Sequence, residues 1–300
     1  MIDLTPRHSD VIDLRSGRRI GYSEYGDPDG RAMIWFHGTP GGSRQIPLAA
    51  RRAAAELGVR LVAVERPGIG RSTAHVHANI AGLVDDVIEV ADALDVERFA
   101  VGGLSGGGPY ALACAARHPD RVVAAAVLGG VAPARGPEAA PGGLVGLAAR
   151  LGPLVELIRV PLGHAMWVAV RAARPLAPQA LELYAHFSPE GDRRVFAQPE
   201  MKAMFIDDLN RAATRQFHAA PTDIALFTRD WGFRLADIVV PVRFWHGDAD
   251  NIVPLQHAQH MVDLVPGSML TVRAGESHLG GLDATHEILE TLLALWDRRE

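Results

Sequence analysis

Apolar positions along this chain follow two rhythms. Short unbroken runs, "AMIWF", "RLVAVE", "FAVGGL" and "VVAAAVLGG", predict strands buried on both faces. Between them lie "SRQIPLAARRAAAELG", "NIAGLVDDVIEVADALD" and "GPYALACAARHP", whose apolar residues recur at helical spacing. Strand–helix alternation of this kind reads as βαβ units. Ahead of them, "DVIDL" and "RRIGYSEYG" flank Ser16-Gly17 and predict an opening hairpin. The fold class is therefore α/β, with a mostly parallel sheet flanked by helices.

The alternation stops after about residue 132. "APARGPEAAPGG", Ala132 to Gly143, has the proline and glycine content of a linker. From Leu144 to Phe233 only helical patterns follow, and strand signals return at "VVPVRFWHG" and "SMLTVRAG". A last helix, "ATHEILETLLALWDRR", closes the chain. This predicts a core domain of residues 1–132 and 234–300, with 133–233 inserted as a helical cap. Such a cap belongs over the carboxyl ends of the strands, where open α/β sheets bind ligands. Large apolar residues of the cap are Leu147, Leu151, Leu154, Leu157, Met166, Trp167, Met201, Met204 and Phe205. Most are expected to pack within the cap and on the core, and the rest to line an apolar pocket.

Composition narrows the partners. With 300 residues and a formal charge of -5, the chain has a full-sized core and no basic excess to attract nucleic acid or anionic lipid. Its most apolar stretch, starting at Gly143, is interrupted by Arg150, Pro153, Glu156 and Arg159. It is not expected to cross a bilayer. "MIDLTPRHSD" lacks the basic-then-apolar pattern of a signal peptide, so a cytoplasmic protein is expected. The single cysteine, Cys114, lies in an apolar helical run and reads as a small buried hydrophobe.

The chemistry centres on "VGGLSGGGPYA", Val101 to Ala111, where five glycines surround Ser105. Gly103-Leu104-Ser105-Gly106-Gly107 is G-x-S-x-G between a strand and a helix, the setting of a nucleophile elbow. A serine turned sharply out of a strand needs backbone contacts that Cβ atoms obstruct. Gly106 to Ala111 also fits a dinucleotide fingerprint. That motif belongs on a first βα turn with an acid ending the next strand, and "VVAAAVLGG" has none.

A serine nucleophile needs a base and an orienting acid, in the chain order Ser, acid, His. Asp248 and Asp250 follow the strand "VRFWHG", and His278 follows the last strand. Among thirteen histidines, His257 and His260 lie three apart without a third ligand and read as a helix face rather than zinc ligands. His246 reads as structural. The oxyanion donors are expected at Gly106, after the nucleophile, and in the glycine-rich loop "HGTPGG".

These segments, in this order, resemble the α/β-hydrolase superfamily. "HGTPGG" is similar to the HG-x-PG turn of proline iminopeptidases and related hydrolases, which implies that Thr39 supplies the second oxyanion N–H. "ERPGIGRS", Glu65 to Ser72, resembles the family's D-x-R-G-x-G-x-S loop, with glutamate for aspartate. The family spacing in "HGDADNIVP" implies Asp250 rather than Asp248 as the acid. "ESHLG" resembles the G-H end of the triad, with Ser277 in place of glycine. Proline iminopeptidases usually carry HGGPG and a tryptophan after the serine, whereas this chain has Thr39 and Gly106. The resemblance implies an α/β-hydrolase fold and catalysis by Ser105, His278 and Asp250, without metal or organic cofactor. The expected substrate is a small or medium apolar carboxylic ester. The alternatives are an iminopeptidase-like aminopeptidase and a non-catalytic ligand-binding homologue.

Overall fold

The computed structural model describes residues 2–140 and 143–299, the side chains of 143–149 excepted. Eight strands form one sheet: β1 His8–Asp13, β2 Arg19–Gly26, β3 Arg31–Phe36, β4 Val59–Val64, β5 Phe99–Leu104, β6 Val122–Leu128, β7 Val242–Gly247 and β8 Met269–Arg273. Their order is β1-β2-β4-β3-β5-β6-β7-β8. β1 and β2 form the expected antiparallel hairpin, β2 runs antiparallel to β4, and every other pairing is parallel.

Burial explains the runs. β5 and β6 are buried along their whole length at the centre of the sheet, while edge strand β8 is largely exposed. Helices α1 Leu48–Glu56 and α10 Thr285–Asp297 cover one face of the sheet. On the other lie α2 Val84–Ala93, α3 Gly108–Arg117 and α9 Gln256–Leu264. Cys114 is buried in α3, and burial raises its thiol pKa.

Between β6 and β7 the chain forms α4 Gly143–Ala173, α5 Ala177–Phe187, α6 Glu190–Ala197, α7 Pro199–Ala212 and α8 Ala219–Phe227. The stretch read as a linker is packed at both ends, with Ala132, Pro133, Glu138 and Ala140 buried and Arg135 to Pro137 exposed between them. The Glu138 carboxylate is buried and accepts the backbone N–H of Leu235 at 2.8 Å, so the entry and exit of the insert are tied together. Pro141 and Gly142 lie outside the described residues.

The run 150–187 meets the length and hydropathy of a membrane span. It is broken by a 3-10 turn at Arg174–Leu176, and α4 packs along α8. Leu151, Leu154 and Leu157 point outward and are exposed, contrary to the expectation that they pack or line a pocket. The side chain of Leu147 lies outside the described residues.

Candidate active site

The parallel order brings four strand ends to one edge of the sheet, β6 lying between β5 and β7. Loop 37–42 leaves β3, Ser105 leaves the adjacent β5, Asp250 follows β7 and His278 follows β8. Ser105 has φ +51°, a left-handed conformation that serine rarely adopts. Neighbouring glycines let the turn close. A Cβ on Gly103 would lie 2.4 Å from the carbonyl oxygen of Gly107, and one on Gly107 would lie 2.2 Å from that of Phe36.

His278 Nε2 is 2.9 Å from Ser105 Oγ, and His278 Nδ1 is 2.7 Å from Asp250 Oδ2. Asp250 Oδ1 accepts the N–H groups of Ile252 and Val253, each at 2.9 Å. Burial acts to raise the Asp250 carboxyl. Hydrogen bonds from His246 and His278, the His278 charge and the Val253 amide overcome this and hold it well below the usual carboxylate range. Asp248 is turned away and accepts the N–H of Gly275 at 2.7 Å. The structure thus joins Ser105, His278 and Asp250, and leaves Asp248 out.

Thr39 and Gly106 meet directly. A Cβ on Gly106 would fall 2.4 Å from Thr39 Oγ1 and 2.9 Å from Phe227 Cζ. The two departures from the iminopeptidase pattern are therefore one packing event: the Thr39 side chain fills the space a residue larger than glycine would need at 106.

Behind this loop lies a network that the sequence reading missed. The Arg66 guanidinium is buried and donates to the carbonyl oxygens of His37 at 2.5 Å and Gly38 at 3.0 Å. It also donates to Thr39 Oγ1 at 2.8 Å and to Asp223 Oδ2 at 2.6 Å. Thr39 Oγ1 in turn donates to Asp223 at 2.6 Å, and Tyr110 donates its hydroxyl to Asp223 at 2.8 Å. Burial and the nearby Arg66 charge hold His37 neutral, its pKa well below the usual histidine value. Its Nδ1–H can then donate to Gly38 O at 2.8 Å.

Two further insert carboxylates grip core loops. Asp192 of α6 accepts the hydroxyl of Ser277 and the N–H of Leu279 at 2.8 Å, one contact on each side of His278. Asp208 of α7 accepts the N–H groups of Gly42 at 3.0 Å and Arg44 at 2.9 Å. Burial, aided by the charges of Glu65 and Asp207, raises Asp208 to about 7 against the pull of those two donors. Glu65, where the family pattern has aspartate, is buried and accepts the N–H of Arg71 at 2.7 Å. Sequence spacing carries no signal for these pairings, which join residues up to 184 positions apart.

Ser105 and His278 open onto a cavity of about 570 Å³ roofed by the insert. Its apolar wall includes Val170, Leu181, Phe196, Phe205, Leu209 and Ile252. Of the large cap residues named from the sequence whose side chains are described, Phe205 alone lines it. Met201 and Met204 are buried against the sheet domain, and Met166 and Trp167 pack beside α7 and α8. His257 and His260 bond backbone atoms of Ala132 and Glu138. Among the described residues no group of three metal-ligating side chains converges.

The family model of the α/β hydrolase fold matches residues 31–285. The chain belongs to the α/β-hydrolase fold family. Within the family, it is similar to proline iminopeptidases. It is 32% identical over 124 residues to that of Xylella fastidiosa, covering 40% of this chain and 38% of the relative. A probable proline iminopeptidase of Leptolyngbya boryana is 30% identical over 121 residues, covering 39% of this chain and 37% of the relative. The chain thus spans about two fifths of the length of these relatives. Among solved α/β-hydrolase folds, an esterase of Exiguobacterium antarcticum superposes with TM-score 0.67 at 21% identity, covering 97% of this chain and all of that one. An enol-lactonase of Burkholderia xenovorans gives 0.68 at 19% identity, covering 95% of this chain and 100% of that one.

Proposed function

We propose that this protein is a serine hydrolase that cleaves small to medium apolar carboxylic esters through an acyl-enzyme. The observation that carries the reading is the Ser105–His278–Asp250 hydrogen-bond chain at the floor of an apolar cavity. Ser105 Oγ attacks the ester carbonyl while His278 Nε2 takes its proton. Asp250 accepts from Nδ1–H, which sets the tautomer and stabilises the imidazolium. The N–H groups of Thr39 and Gly106 receive the oxyanion. His278 then protonates the departing alcohol. Next it draws a proton from water, which attacks the acyl-enzyme and releases the acid.

The competing reading is an iminopeptidase, favoured by the named relatives. Such an enzyme needs a carboxylate to hold the substrate's free amino group. Glu182 and Asp207 are engaged by Lys202 and Arg44, and the oxygens of Asp208 already accept backbone N–H groups. That favours an ester without a free amino group. The test is a panel of p-nitrophenyl esters of increasing acyl length beside a prolyl-amide, with fluorophosphonate labelling of Ser105. Ester turnover should rise with length until the cavity is full, and prolyl-amide cleavage should be poor. Efficient prolyl-amide cleavage with weak ester turnover would overturn the reading, and an unlabelled Ser105 would point to a non-catalytic binder.

A further inference from the structure

The cavity wall is mostly apolar, with Gln45, Tyr184, Asp208 and Asn210 as polar members beside Ser105 and His278. Arg174, in the 3-10 turn between α4 and α5, is the single lysine or arginine among its described lining residues. Its Nη2 donates to the carbonyl oxygen of Asn210 at 2.6 Å, while its Nε is buried and has no hydrogen-bond partner. No described carboxylate forms an ion pair with it. Asp208, the one acid among the described lining residues, is directed instead to the N–H groups of Gly42 and Arg44.

A guanidinium stays charged at any physiological pH. Arg174 is half-buried, with its Nε enclosed and no described counter-charge beside it, so part of its charge lacks both water and an anion. Its planar fork of donors matches a carboxylate. A cation left without an anion in the wall of a substrate cavity is therefore complementary to a ligand that brings one.

We propose that Arg174 selects substrates carrying a carboxylate remote from the scissile ester, so that half-esters of dicarboxylic acids are preferred over neutral diesters. This rests on the ester-hydrolase reading above. The reacting carbonyl sits at Ser105, the apolar chain lies along Leu181 and Leu209, and the free carboxylate meets Arg174.

The test is calorimetric binding to Ser105→Ala protein, which needs no turnover. The ligands are monoethyl and diethyl esters of dicarboxylic acids from succinate to sebacate. At one chain length the monoester should bind at least about tenfold more tightly than the diester, the size expected of a charge-assisted pair. Adding Arg174→Gln should bring that ratio to about one, and Arg174→Lys should retain part of it. Thermal melting of each variant checks that it is folded. If no length shows a monoester preference, or the preference survives Arg174→Gln, the inference is wrong. Failure of wild-type enzyme on every ester, with monoester binding still dependent on Arg174, would refute ester hydrolysis and leave the anion site standing.

Discussion

Arg66 and Asp223 form a buried ion pair, 2.6 Å from Nη2 to Oδ2, and both also bond the hydroxyl of Thr39. The pair joins the loop after β4 to α8 of the insert. Through Thr39 it sets where the 37–42 loop lies relative to Gly106.

Removing one partner of such a pair leaves a buried charge uncompensated, which costs about 3–5 kcal/mol. Arg66→Met should therefore lose about that much stability in urea unfolding, and the double variant Arg66→Met/Asp223→Leu should recover part of it. Strictly additive losses would show that the two residues are not coupled.

Ser105→Ala should lower ester turnover by several orders of magnitude, leaving only what oxyanion binding supplies. The left-handed backbone at Ser105 adds a second expectation. Ser105→Gly should be equally inactive yet more stable than the alanine variant, because glycine takes φ +51° without strain. Melting temperatures of the two variants check this, and equal values would remove the argument from strain.

Asp250→Asn should cripple turnover, by about 10⁴-fold, since its amide would favour the wrong His278 tautomer. Asp248→Asn should cost only a few-fold, because Asp248 bonds Gly275 and does not touch His278. Reversed or equal losses in kcat would contradict the geometry.

Asp208 supplies a pH dependence. Its folded pKa of about 7 lies above the ordinary 3.8, so the folded state binds this proton more tightly than the unfolded chain. The resulting stability is fully present below 3.8 and is lost as pH rises through 7. Asp208→Asn, which mimics the protonated acid, should flatten the change in unfolding free energy between pH 5 and pH 8. An unchanged slope in urea titrations across that range would rule Asp208 out as its source.

The parts of the site legible in the sequence are those whose requirements are local. Ser105 needs glycines within two residues of it, and Asp250 and His278 sit in short loops that directly follow strands. The buried strands were legible too, since unbroken apolar runs mark strands covered on both faces. The insert was legible only as helix. Spacing alone could not tell which face of α4 turns outward, so Leu151, Leu154 and Leu157 were assigned to packing or pocket while their side chains meet solvent. Asp192 and Asp223 were invisible because their partners are set by tertiary contact.

Three acidic side chains from three successive helices, Asp192, Asp208 and Asp223, each seize a different loop of the sheet domain. The insert is thus part of the frame that holds the reacting groups rather than a detachable cover. A chimera that borrows this segment from another hydrolase would import a new pocket but lose the alignment of His278, the Gly42–Arg44 turn and Thr39 at once. Only a graft that keeps acids at these three points could change what the enzyme accepts without undoing how it reacts.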